Sequence, residues 1–496
     1  MQLATPLRLL RWLSHPGCRL SQRALHATVW VIGSKGIEHS LAYLRIIILA
    51  HLLAPVDFGL MGIGLVVIAA LHTITLPGFQ EALVQRKGNV EGHLDTLWTL
   101  TILRTLTVGV ILALAAPFLA TFFKSPDATL VMQALAGAEF LRGFVNPGIL
   151  YFQKDLEFQK KSINDVAPVI AEAVVAITAA IILHNVWALV FGFLARQVVQ
   201  VGVSYWTHPY RPRLAIRKEQ TRDLFAFGRW VYLTRLVTFA STQSDSLILT
   251  KLLGPVTLGF YQMAQRTSIV PLSEIHRSVS AVAFPVYSKV QDDLPKLRHA
   301  FLRSAEAITS LTLPLAIIIV FLAREFVEVA LGEKWLPAVS VIQILAVSAF
   351  FSSLAGAGNI LFMGMGKPWL GFQLNLLRAI TVAAAVFPLV MMFGLGGAAY
   401  AVLLASGVAF SFYLYHSFSI LRLRPADFLK ALLPALSAAV AIALVAAGAK
   451  QLLGPISLPG LVGVAFLVFS TYGVVFLVLW WKFKMGLINS VLEMRQ

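Results

Sequence analysis

The chain has 496 residues, of which 58% are hydrophobic and only 13% are charged, and its mean hydropathy is +0.79. A soluble domain is about one quarter charged, so this composition excludes a string of soluble domains and indicates a polytopic membrane protein. The net charge of +17 would suggest nucleic-acid binding in a soluble protein, but in a membrane protein it first indicates basic cytoplasmic loops. The single cysteine, Cys18, excludes a disulfide framework and a Cys-based zinc site.

The chain begins with a basic segment and continues as a series of apolar stretches. Residues 1–23 lack the uninterrupted apolar core of a secretory signal, so we predict a basic cytoplasmic extension there. Apolar stretches of about 20 residues, enough to cross a hydrocarbon core of ~30 Å, follow along the whole chain and leave no room for a folded soluble domain. The sequence therefore predicts an all-α polytopic membrane protein with about 14 transmembrane helices, near 25–50, 57–79, 95–122, 128–149, 164–183, 186–206, 227–250, 256–283, 298–322, 336–362, 369–392, 396–418, 428–449 and 460–482.

Lysine and arginine residues concentrate on one side of this predicted topology, with about 24 on the side of the N-terminus and about five on the other. The positive-inside rule makes that side cytoplasmic, so both termini are predicted to be cytoplasmic and the number of spans to be even. A basic linker over 208–226 joins the sixth and seventh spans on the same side. Because it has few aromatic residues to stack on bases, we predict an amphipathic helix on anionic lipid rather than a nucleic-acid site.

A motif of twelve residues occurs twice at a fixed offset of 200 residues. Residues 48–59 read ILAHLLAPVDFG and residues 248–259 read ILTKLLGPVTLG, so seven positions are identical, including the proline and the final glycine. A weaker echo relates NPGILYF (146–152) to AGNILFM (357–363). The repeat predicts two six-helix halves, related by a pseudo-two-fold axis along the membrane normal, that rock about a site at their interface. Besides the extension and the linker, three parts are predicted. They are an N-terminal lobe over 24–207, a C-terminal lobe over 227–420, and a terminal helix pair with its cytoplasmic tail over 421–496.

Ionisable residues inside the predicted spans should face protein or water, because each costs at least ~2.5 kcal/mol at the bilayer centre. The first span carries Lys35 and Arg45 on one helical face, and the seventh span carries Arg235 and Asp245 at positions 200 residues later. The repeat thus matches polar faces as well as turns, with opposite charges at 45 and 245. The other intramembrane charges include Arg104, Glu139, Arg142, Asp165, Glu172, Arg196, Arg266, Glu274, Glu306 and Arg378.

Two interpretations of these charges stay open. In the first, they are buried ion pairs that only fix helix packing, which we favour for Glu139 and Arg142. In the second, which we favour for Lys35, Arg235 and Arg266, unpaired cations line a cavity, because the same spans hold too few acids to pair every cation. Such a cavity binds an anion, and arginine in particular binds the oxygens of a diphosphate in pairs.

Three features together carry a family resemblance: the duplicated L-x-P-x-x-x-G turn, the fourteen predicted spans and the YFQKDLEF loop at 151–158. Over most of its length the chain resembles the Wzx-type oligosaccharide flippases, the polysaccharide-transporter branch of the multidrug/oligosaccharidyl-lipid/polysaccharide exporter (MOP) superfamily. It is similar to the lipopolysaccharide and colanic-acid biosynthesis flippases. The resemblance implies the MOP flippase fold and the movement of an undecaprenyl-diphosphate-linked oligosaccharide, such as an O-antigen, capsule or exopolysaccharide repeat unit. The movement would run from the cytoplasmic to the periplasmic leaflet of the bacterial inner membrane.

The resemblance also implies a mechanism and roles for particular residues. The mechanism is alternating access driven by a proton or sodium gradient, with no cofactor, no catalytic residue and no metal ligand. The expected diphosphate-binding residues are Lys35, Arg235 and Arg266. The expected outer gate is an ion pair of Arg45 and Asp245, and the candidates for the coupling-ion carboxylate are Asp165, Glu172 or Asp245. The expected partners are lipid-linked oligosaccharide and membrane lipid, with a polysaccharide polymerase and a chain-length regulator as protein partners, and no nucleic acid.

Two other functions stay open. A multidrug or metabolite antiporter of the same superfamily fits the topology, but a cavity for cationic drugs should be rich in acids and aromatic rings, whereas these spans hold more Arg and Lys than Asp and Glu. A membrane polysaccharide polymerase or ligase would need a large periplasmic loop or an acidic cytoplasmic site, and the longest predicted outer loop, near 323–335, is short. Since no phosphate-binding loop, dinucleotide fingerprint or H-E-x-x-H zinc motif occurs in the sequence, an enzyme is the weakest of the three alternatives.

Overall fold

The computed structural model describes residues 20–75, 91–154, 157–215 and 218–453, together with a few positions between 460 and 474. The predicted extension over 1–23 and the predicted last span over 460–482 therefore lie largely outside the described residues. Those that are described form helices joined by short connections, and no strand occurs among them. The prediction of an all-α fold is confirmed.

The chain divides into two compact units, with the division between Leu233 and Thr234. The predicted lobes, with six helices in each, stay predictions. Unit 1 contains α1 (Leu20–Leu52), α2 (Pro55–Thr75), α3 (Glu91–Phe122), α4 (Ala128–Arg142), a 3-10 turn (Pro147–Ile149), α5 (Leu150–Lys154), α6 (Phe158–Leu183) and α7 (Trp187–Thr207). Unit 2 contains most of α8 (Lys218–Val290), then α9 (Leu294–Phe326), a π turn (Val327–Leu331), a 3-10 helix (Glu333–Ala338), α10 (Val339–Gly364), α11 (Pro368–Phe393), α12 (Leu395–Leu421) and α13 (Pro425–Leu453).

Ten helices among the described residues are long and apolar enough to cross a membrane, so the chain is a multi-pass membrane protein. The 15-residue α4 is not one of them, and α8 is counted once although it bends sharply at Gly254. The number of fourteen spans stays a prediction. Long uninterrupted helices are expected in lipid, because every backbone N–H and C=O group must find its hydrogen bond within the chain.

The repeated motif forms a helix break in both units, but by different means. In unit 1, α2 starts at Pro55, whose missing N–H costs nothing in the first turn of a helix. The carboxylate of Asp57 accepts a 2.8 Å hydrogen bond from the backbone N–H of Ala54 and so caps this start. In unit 2, the break is at Gly254, whose φ of 83° and ψ of −177° form a conformation that is essentially restricted to glycine. This residue divides α8 into a first and a second arm.

The weaker sequence similarity between residues 146–152 and 357–363 is not matched by a similar local structure. Residues 146–152 contain the break between α4 and α5, where the Asn146 side chain accepts a 2.9 Å hydrogen bond from the Gly148 N–H and caps the 3-10 turn. Residues 357–363 lie inside α10 instead. The echo therefore reflects shared composition in two different local structures and gives no support to the repeat.

The segment that follows α7 is not helical over residues 208–215 and leaves the helix in an extended conformation at His208, so we call it the extended segment. The amphipathic helix predicted for the linker over 208–226 is therefore wrong for this part, and α8 begins only at Lys218. A basic composition alone does not distinguish a helix on lipid from an extended segment that is bonded to the protein.

Two polar side chains of α3 hold this extended segment. The carboxylate of Asp95 accepts a 2.7 Å hydrogen bond from the Tyr210 hydroxyl and a 2.8 Å hydrogen bond from the Arg213 backbone N–H. The hydroxyl oxygen of Thr99 accepts a 3.0 Å hydrogen bond from the Ala215 N–H. These side chains supply the hydrogen bonds that a helix would otherwise have made within itself.

Small residues let the helices of each unit approach closely. In unit 1, α6 packs most extensively against α7, and a Cβ atom on Gly192 would lie only 2.6 Å from the Cβ of Ala176. In unit 2, a Cβ on Gly358 would overlap with the Tyr413 ring, which belongs to an apolar core with Phe301. Close van der Waals contact of this kind holds helices together where lipid removes most of the hydrophobic driving force.

Candidate functional site

Glu172 on α6 is shared by two arginines of unit 1. Arg45 on α1 forms an ion pair with one of its carboxylate oxygens, and Arg196 on α7 donates a 2.9 Å hydrogen bond from Nη1 to the other. Glu172 is buried, where a carboxylate needs charge-assisted hydrogen bonds of this kind. The close contact at Gly192, whose Cβ would also lie 3.0 Å from the Glu172 carbonyl oxygen, brings the two helices near enough for the Arg196 bond. Both side-chain oxygens of this predicted coupling-ion carboxylate are thus bound by guanidinium groups.

The ion pair between Glu139 and Arg142 that we interpreted from the sequence is present. A third residue, His72, contacts both of them. Arg142 Nη1 lies 3.4 Å from Glu139 Oε1. The His72 ring on α2 has its Nε2 2.6 Å from Glu139 Oε2 and 3.1 Å from Arg142 Nη1. Since one ring nitrogen either donates or accepts, His72 can bond to Glu139 or to Arg142, but not to both at once. Sequence periodicity missed His72 because it lies 70 residues before Arg142.

The three cations predicted to line a cavity without partners all have an interaction. Lys35 Nζ in unit 1 lies 2.7 Å from Glu38 Oε2, one helical turn away, and Arg235 and Arg266 in unit 2 also interact with other groups. The expectation of an unpaired cation is therefore wrong for Lys35, because one acid on the same helix face suffices to pair it. The predicted role of Lys35, Arg235 and Arg266 in holding a diphosphate stays a prediction.

Asp245, on the first arm of α8, is buried and hydrogen-bonded within unit 2. Its carboxylate accepts hydrogen bonds of 2.6 Å from the Tyr261 hydroxyl, 3.3 Å from the Gln265 amide and 2.7 Å from the Ser246 backbone N–H. The charge of Arg378 on α11 also acts on this carboxylate. The three hydrogen-bond donors to Asp245 are neutral groups, in contrast to the two guanidinium groups on Glu172.

The predicted gate and the last coupling candidate have partners inside their own units. Arg45 pairs with Glu172 in unit 1 and Asp245 is bonded in unit 2, so an ion pair between Arg45 and Asp245 stays a prediction. Asp165 on α6 lies 2.5 Å from Lys161 Nζ, one turn earlier on the same helix. Its role as a coupling-ion carboxylate also stays a prediction.

Unit 1 contains a cavity of about 540 Å³, which we call the basic cavity. Helices α3, α4, α6 and α7 and the loop after α4 line it, with apolar side chains such as Trp98 among polar ones. Its charged lining consists of Arg104, Arg142, Lys161, Arg196 and Asp165. Four cations with one carboxylate make this cavity suited to an anion.

The basic cavity reaches from one end of unit 1 towards its middle. Lys161 lies near the start of α6 and Arg142 at the end of α4, on either side of the short connection between these helices, and both line the cavity. Arg104 and Arg196 lie near the middles of α3 and α7. The cations therefore form a path along the helix axes and not a ring at a single depth.

Asn146 fixes the end of the cavity that Arg142 and Lys161 occupy. It lines the cavity, its side-chain amide donates a 2.8 Å hydrogen bond to the carbonyl of Tyr210, and its backbone N–H donates a 3.0 Å hydrogen bond to the Ser204 hydroxyl. The loop after α4 is thereby held against α7 and the extended segment that follows it.

Comparison with known proteins identifies the chain at the family level. Residues 48–340, more than half of the sequence, match the family described as Polysaccharide biosynthesis protein. The chain belongs to this family. Its relatives include the Lipopolysaccharide biosynthesis protein WzxC of Escherichia coli K12, 24% identical over 74% of this chain and 75% of the relative. Another is the Teichuronic acid biosynthesis protein TuaB of Bacillus subtilis, 27% identical over 62% of this chain and 65% of the relative.

Solved structures show the same fold at low sequence identity. The lipid II flippase MurJ in an inward closed conformation is 13% identical and superposes with a TM-score of 0.73 over 93% of this chain and 100% of MurJ. A multidrug resistance MATE family transporter of the MOP superfamily, in an inward-facing conformation, is 16% identical with a TM-score of 0.57 over 83% of this chain and 98% of that transporter. The resemblance inferred from the sequence and the MOP flippase fold are both confirmed.

In this member of the polysaccharide biosynthesis family, sequence reasoning named Arg104 and Arg196 only as intramembrane charges and Arg142 only as the partner of Glu139. Part of the signal was available, because antiparallel spans put Lys161 and Arg142 at the same end. Which helices are neighbours could not be read from periodicity, and a cavity depends on neighbours. The basic cavity is therefore a finding of the structure.

Proposed function

We propose that this protein moves an oligosaccharide carried on undecaprenyl diphosphate from the cytoplasmic to the periplasmic leaflet of a bacterial inner membrane. The observation that carries the proposal is the excess of cationic side chains inside a multi-pass member of the polysaccharide biosynthesis family. An anionic headgroup must be desolvated to cross a membrane, and arginine and lysine compensate that loss. Relatives named for lipopolysaccharide biosynthesis and for succinoglycan transport support the same substrate class.

In this proposal Lys35, Arg235 and Arg266 bind the diphosphate, while the isoprenoid tail stays in lipid. The ion pair of Lys35 with Glu38 does not prevent this role, because an ammonium group has three donors. The two arginines offer planar forks that match phosphate oxygens in pairs. The protein therefore acts by binding and reorientation, and the proposal assigns it no enzymatic reaction.

The proposed energy source is a proton or sodium gradient, with Asp165, Glu172 and Asp245 as the candidate carboxylates. Asp245 ranks first among them, because the hydrogen bonds that it accepts come from neutral donors. A cation that binds Glu172 would have to displace two guanidinium groups. Arg45 and Asp245 would close the outer gate only in a state in which each leaves its present partners and the two form an ion pair.

The orientation and the protein partners belong to the same proposal. The asymmetry of Lys and Arg along the sequence supports cytoplasmic termini. A polysaccharide polymerase and a chain-length regulator would then act on the product in the periplasmic leaflet.

Complementation of a flippase-null strain tests this function. The wild-type chain should restore polymer, and Arg235→Ala should abolish it at normal protein level, because the diphosphate loses a charge-assisted partner. Arg324→Ala is the matched control, since Arg324 forms an exposed ion pair with Glu328. Identification of the lipid-linked intermediate that accumulates in the null strain would define the glycan.

Two outcomes contradict the proposal at different levels. Normal polymer from Arg235→Ala would remove Arg235 from the diphosphate site. Failure of the wild-type chain to restore polymer, together with raised drug resistance on overexpression, would instead indicate a multidrug antiporter.

A further inference from the structure

The basic cavity of unit 1 is separate from the residues predicted to bind the diphosphate. We propose that it is a second anion-binding site, specific for the phosphoanhydride of a diphosphate and formed by Arg104, Arg142, Lys161 and Arg196. The inference that this diphosphate is the headgroup of a lipid-linked sugar rests on the proposed function. None of Lys35, Arg235 and Arg266 lines this cavity.

The charge balance of the described side chains around the cavity is the first support. The cavity and the ion pairs behind it contain five cations, three carboxylates and the His72 ring. Apart from His72, the cations outnumber the carboxylates by two. A diphosphate diester carries one negative charge on each phosphate, so it would neutralise the cluster. The five cations are Arg45, Arg104, Arg142, Lys161 and Arg196, and the three carboxylates are Glu139, Asp165 and Glu172.

The donor geometry is the second support. Arg142 and Arg196 are ion-paired, yet their side chains are 49% and 44% exposed, whereas the side chains of Glu139 and Glu172 behind them are 1% and 12% exposed. A guanidinium group has five N–H donors, and the hydrogen bond from Arg196 to Glu172 uses Nη1. The carboxylates therefore hold the arginines in place while other donors face the cavity.

A buried donor in the lining points the same way. Trp98 lines the cavity, and its indole N–H is buried without a hydrogen-bond partner among the described residues. A buried donor without a partner costs free energy, and a phosphate oxygen is an acceptor that would satisfy it. Gln200 adds a side-chain amide to the same lining.

The size and depth of the cavity agree with a headgroup. A volume of about 540 Å³ falls within the range of small-ligand pockets and leaves room for part of a sugar beside the diphosphate. The path from Lys161 and Arg142 at one end to Arg104 and Arg196 further in allows the anion to be passed inward. By the predicted topology this end is cytoplasmic, where a membrane-bound sugar transferase must supply the substrate.

Binding measurements on the full-length protein in nanodiscs test the site. The probes are inorganic pyrophosphate and undecaprenyl diphosphate, titrated into wild type, Arg104→Gln, Gln200→Glu and the control Arg324→Gln. We expect both cavity variants to weaken binding of undecaprenyl diphosphate about tenfold or more, with the control unchanged. Arg104→Gln would do so through the loss of one charge-assisted hydrogen bond, and Gln200→Glu through repulsion between its carboxylate and the phosphates. Gln200→Glu is informative even if Arg104→Gln folds poorly, because it removes no cation and replaces a neutral amide with a negative charge.

The two probes separate the possible sources of the anion. Weakened binding of both probes, or of undecaprenyl diphosphate alone, supports the site as a headgroup site. Weakened binding of pyrophosphate alone would assign the cavity to a soluble phosphate compound and overturn the lipid source. Unchanged binding of both probes in Gln200→Glu and in folded Arg104→Gln would overturn the site and leave the charges as packing ion pairs.

Failure of this inference is distinguishable from failure of the proposed function. If the site is wrong but the protein is a flippase, Gln200→Glu restores polymer in the null strain and binds undecaprenyl diphosphate as wild type does. If the site is right but the protein does not flip, Gln200→Glu weakens binding although even the wild-type chain restores no polymer.

Discussion

Arg45 in unit 1 and Asp245 in unit 2 occupy equivalent positions of the 200-residue repeat, yet their surroundings differ. Arg45 shares the carboxylate of Glu172 with a second arginine. Asp245 accepts its hydrogen bonds from neutral donors, the Tyr261 hydroxyl among them, and Arg378 acts on it through its charge. A polar position has thus been kept at the same place in both halves, while the sign of its charge has been inverted.

The inversion extends to the partner helix. In unit 1 the acid that faces Arg45 is on α6, the fifth predicted span of its half, and in unit 2 the base that acts on Asp245 is on α11, the fifth predicted span of the other half. Each unit therefore relates its first and fifth spans by opposite charges, with acid and base exchanged. The difference between the units lies in what surrounds that pair. In unit 1 it adjoins a cavity with surplus cations, whereas in unit 2 hydrogen bonds from neutral groups satisfy the carboxylate.

Neutralising Glu172 in unit 1 and Asp245 in unit 2, in separate variants, should give the largest change in stability and the clearest contrast between the units. Glu172→Gln leaves two arginines without their shared anion and should destabilise the protein by about 3–5 kcal/mol. Asp245→Asn should cost less, about 1–2 kcal/mol, because the amide oxygen can still accept from the Ser246 N–H while the Tyr261 hydroxyl can turn to accept a hydrogen bond from the amide NH2 group. Thermal unfolding of both variants in detergent measures the difference, with Glu328→Gln in the exposed pair with Arg324 as a control expected to change stability by less than about 1 kcal/mol.

Equal losses for Glu172→Gln and Asp245→Asn would break the comparison. They would mean that the charge of Arg378 is as important to Asp245 as the two guanidinium groups are to Glu172.

A double-mutant cycle should give the next largest effect and locate the true partner of Arg45. The coupling free energy between Arg45→Gln and Glu172→Gln should be about 1–3 kcal/mol, whereas that between Arg45→Gln and Asp245→Asn should stay within about 0.5 kcal/mol. The charge swap of Arg45→Asp with Asp245→Arg should not recover transport. It would set a carboxylate against Glu172 in unit 1 and a cation near Arg378 in unit 2.

Recovery by that swap would reverse this conclusion. It would show that Arg45 and Asp245 meet during the transport cycle, as the sequence-based gate predicts. The measurement is polymer output in the null strain, with protein level determined for each variant.

The sequence predicted those features that depend on one helix at a time. Hydropathy located most of the long helices among the described residues, and the repeat matched the breaks at Pro55 and Gly254. The spacing of Lys35 and Glu38 also allowed them to pair, because one turn of a helix fixes their separation, but the interpretation favoured from the sequence left Lys35 unpaired. The extended segment over 208–215 was not readable, since its hydrogen bonds come from Asp95 on another helix.

Contacts between side chains on different helices could not be predicted from the sequence, for a physical reason. Periodicity shows which face of a helix is polar, but not which helix lies opposite that face. His72 could not be joined to Glu139, nor Glu172 to both Arg45 and Arg196, until the neighbours were known. The basic cavity depends on four helices at once, and it is therefore the feature that sequence reasoning was least able to assemble.

Variants of the repeated turn, at Ala54 and Gly254, should give the smallest change in stability, and they form the most closely matched pair. Ala54 and Gly254 are equivalent positions, but only Gly254 has a positive φ. Nothing lies within 4 Å of a Cβ atom added to Gly254, so Gly254→Ala should cost about 1–3 kcal/mol through backbone strain alone. Ala54→Gly should cost only about 0.5–1 kcal/mol, because it adds freedom to the unfolded chain without straining the folded one.

Thermal unfolding of the two single variants measures this difference. Equal losses would mean that the Gly254 bend relaxes at no cost, and that the two halves can form the same break. A larger loss at Gly254 would show that unit 2 holds its break by backbone conformation, whereas unit 1 holds the equivalent break with the Asp57 cap. The two halves of the repeat would then differ in how they turn the chain, as they differ in how they neutralise the charge a few residues before the turn.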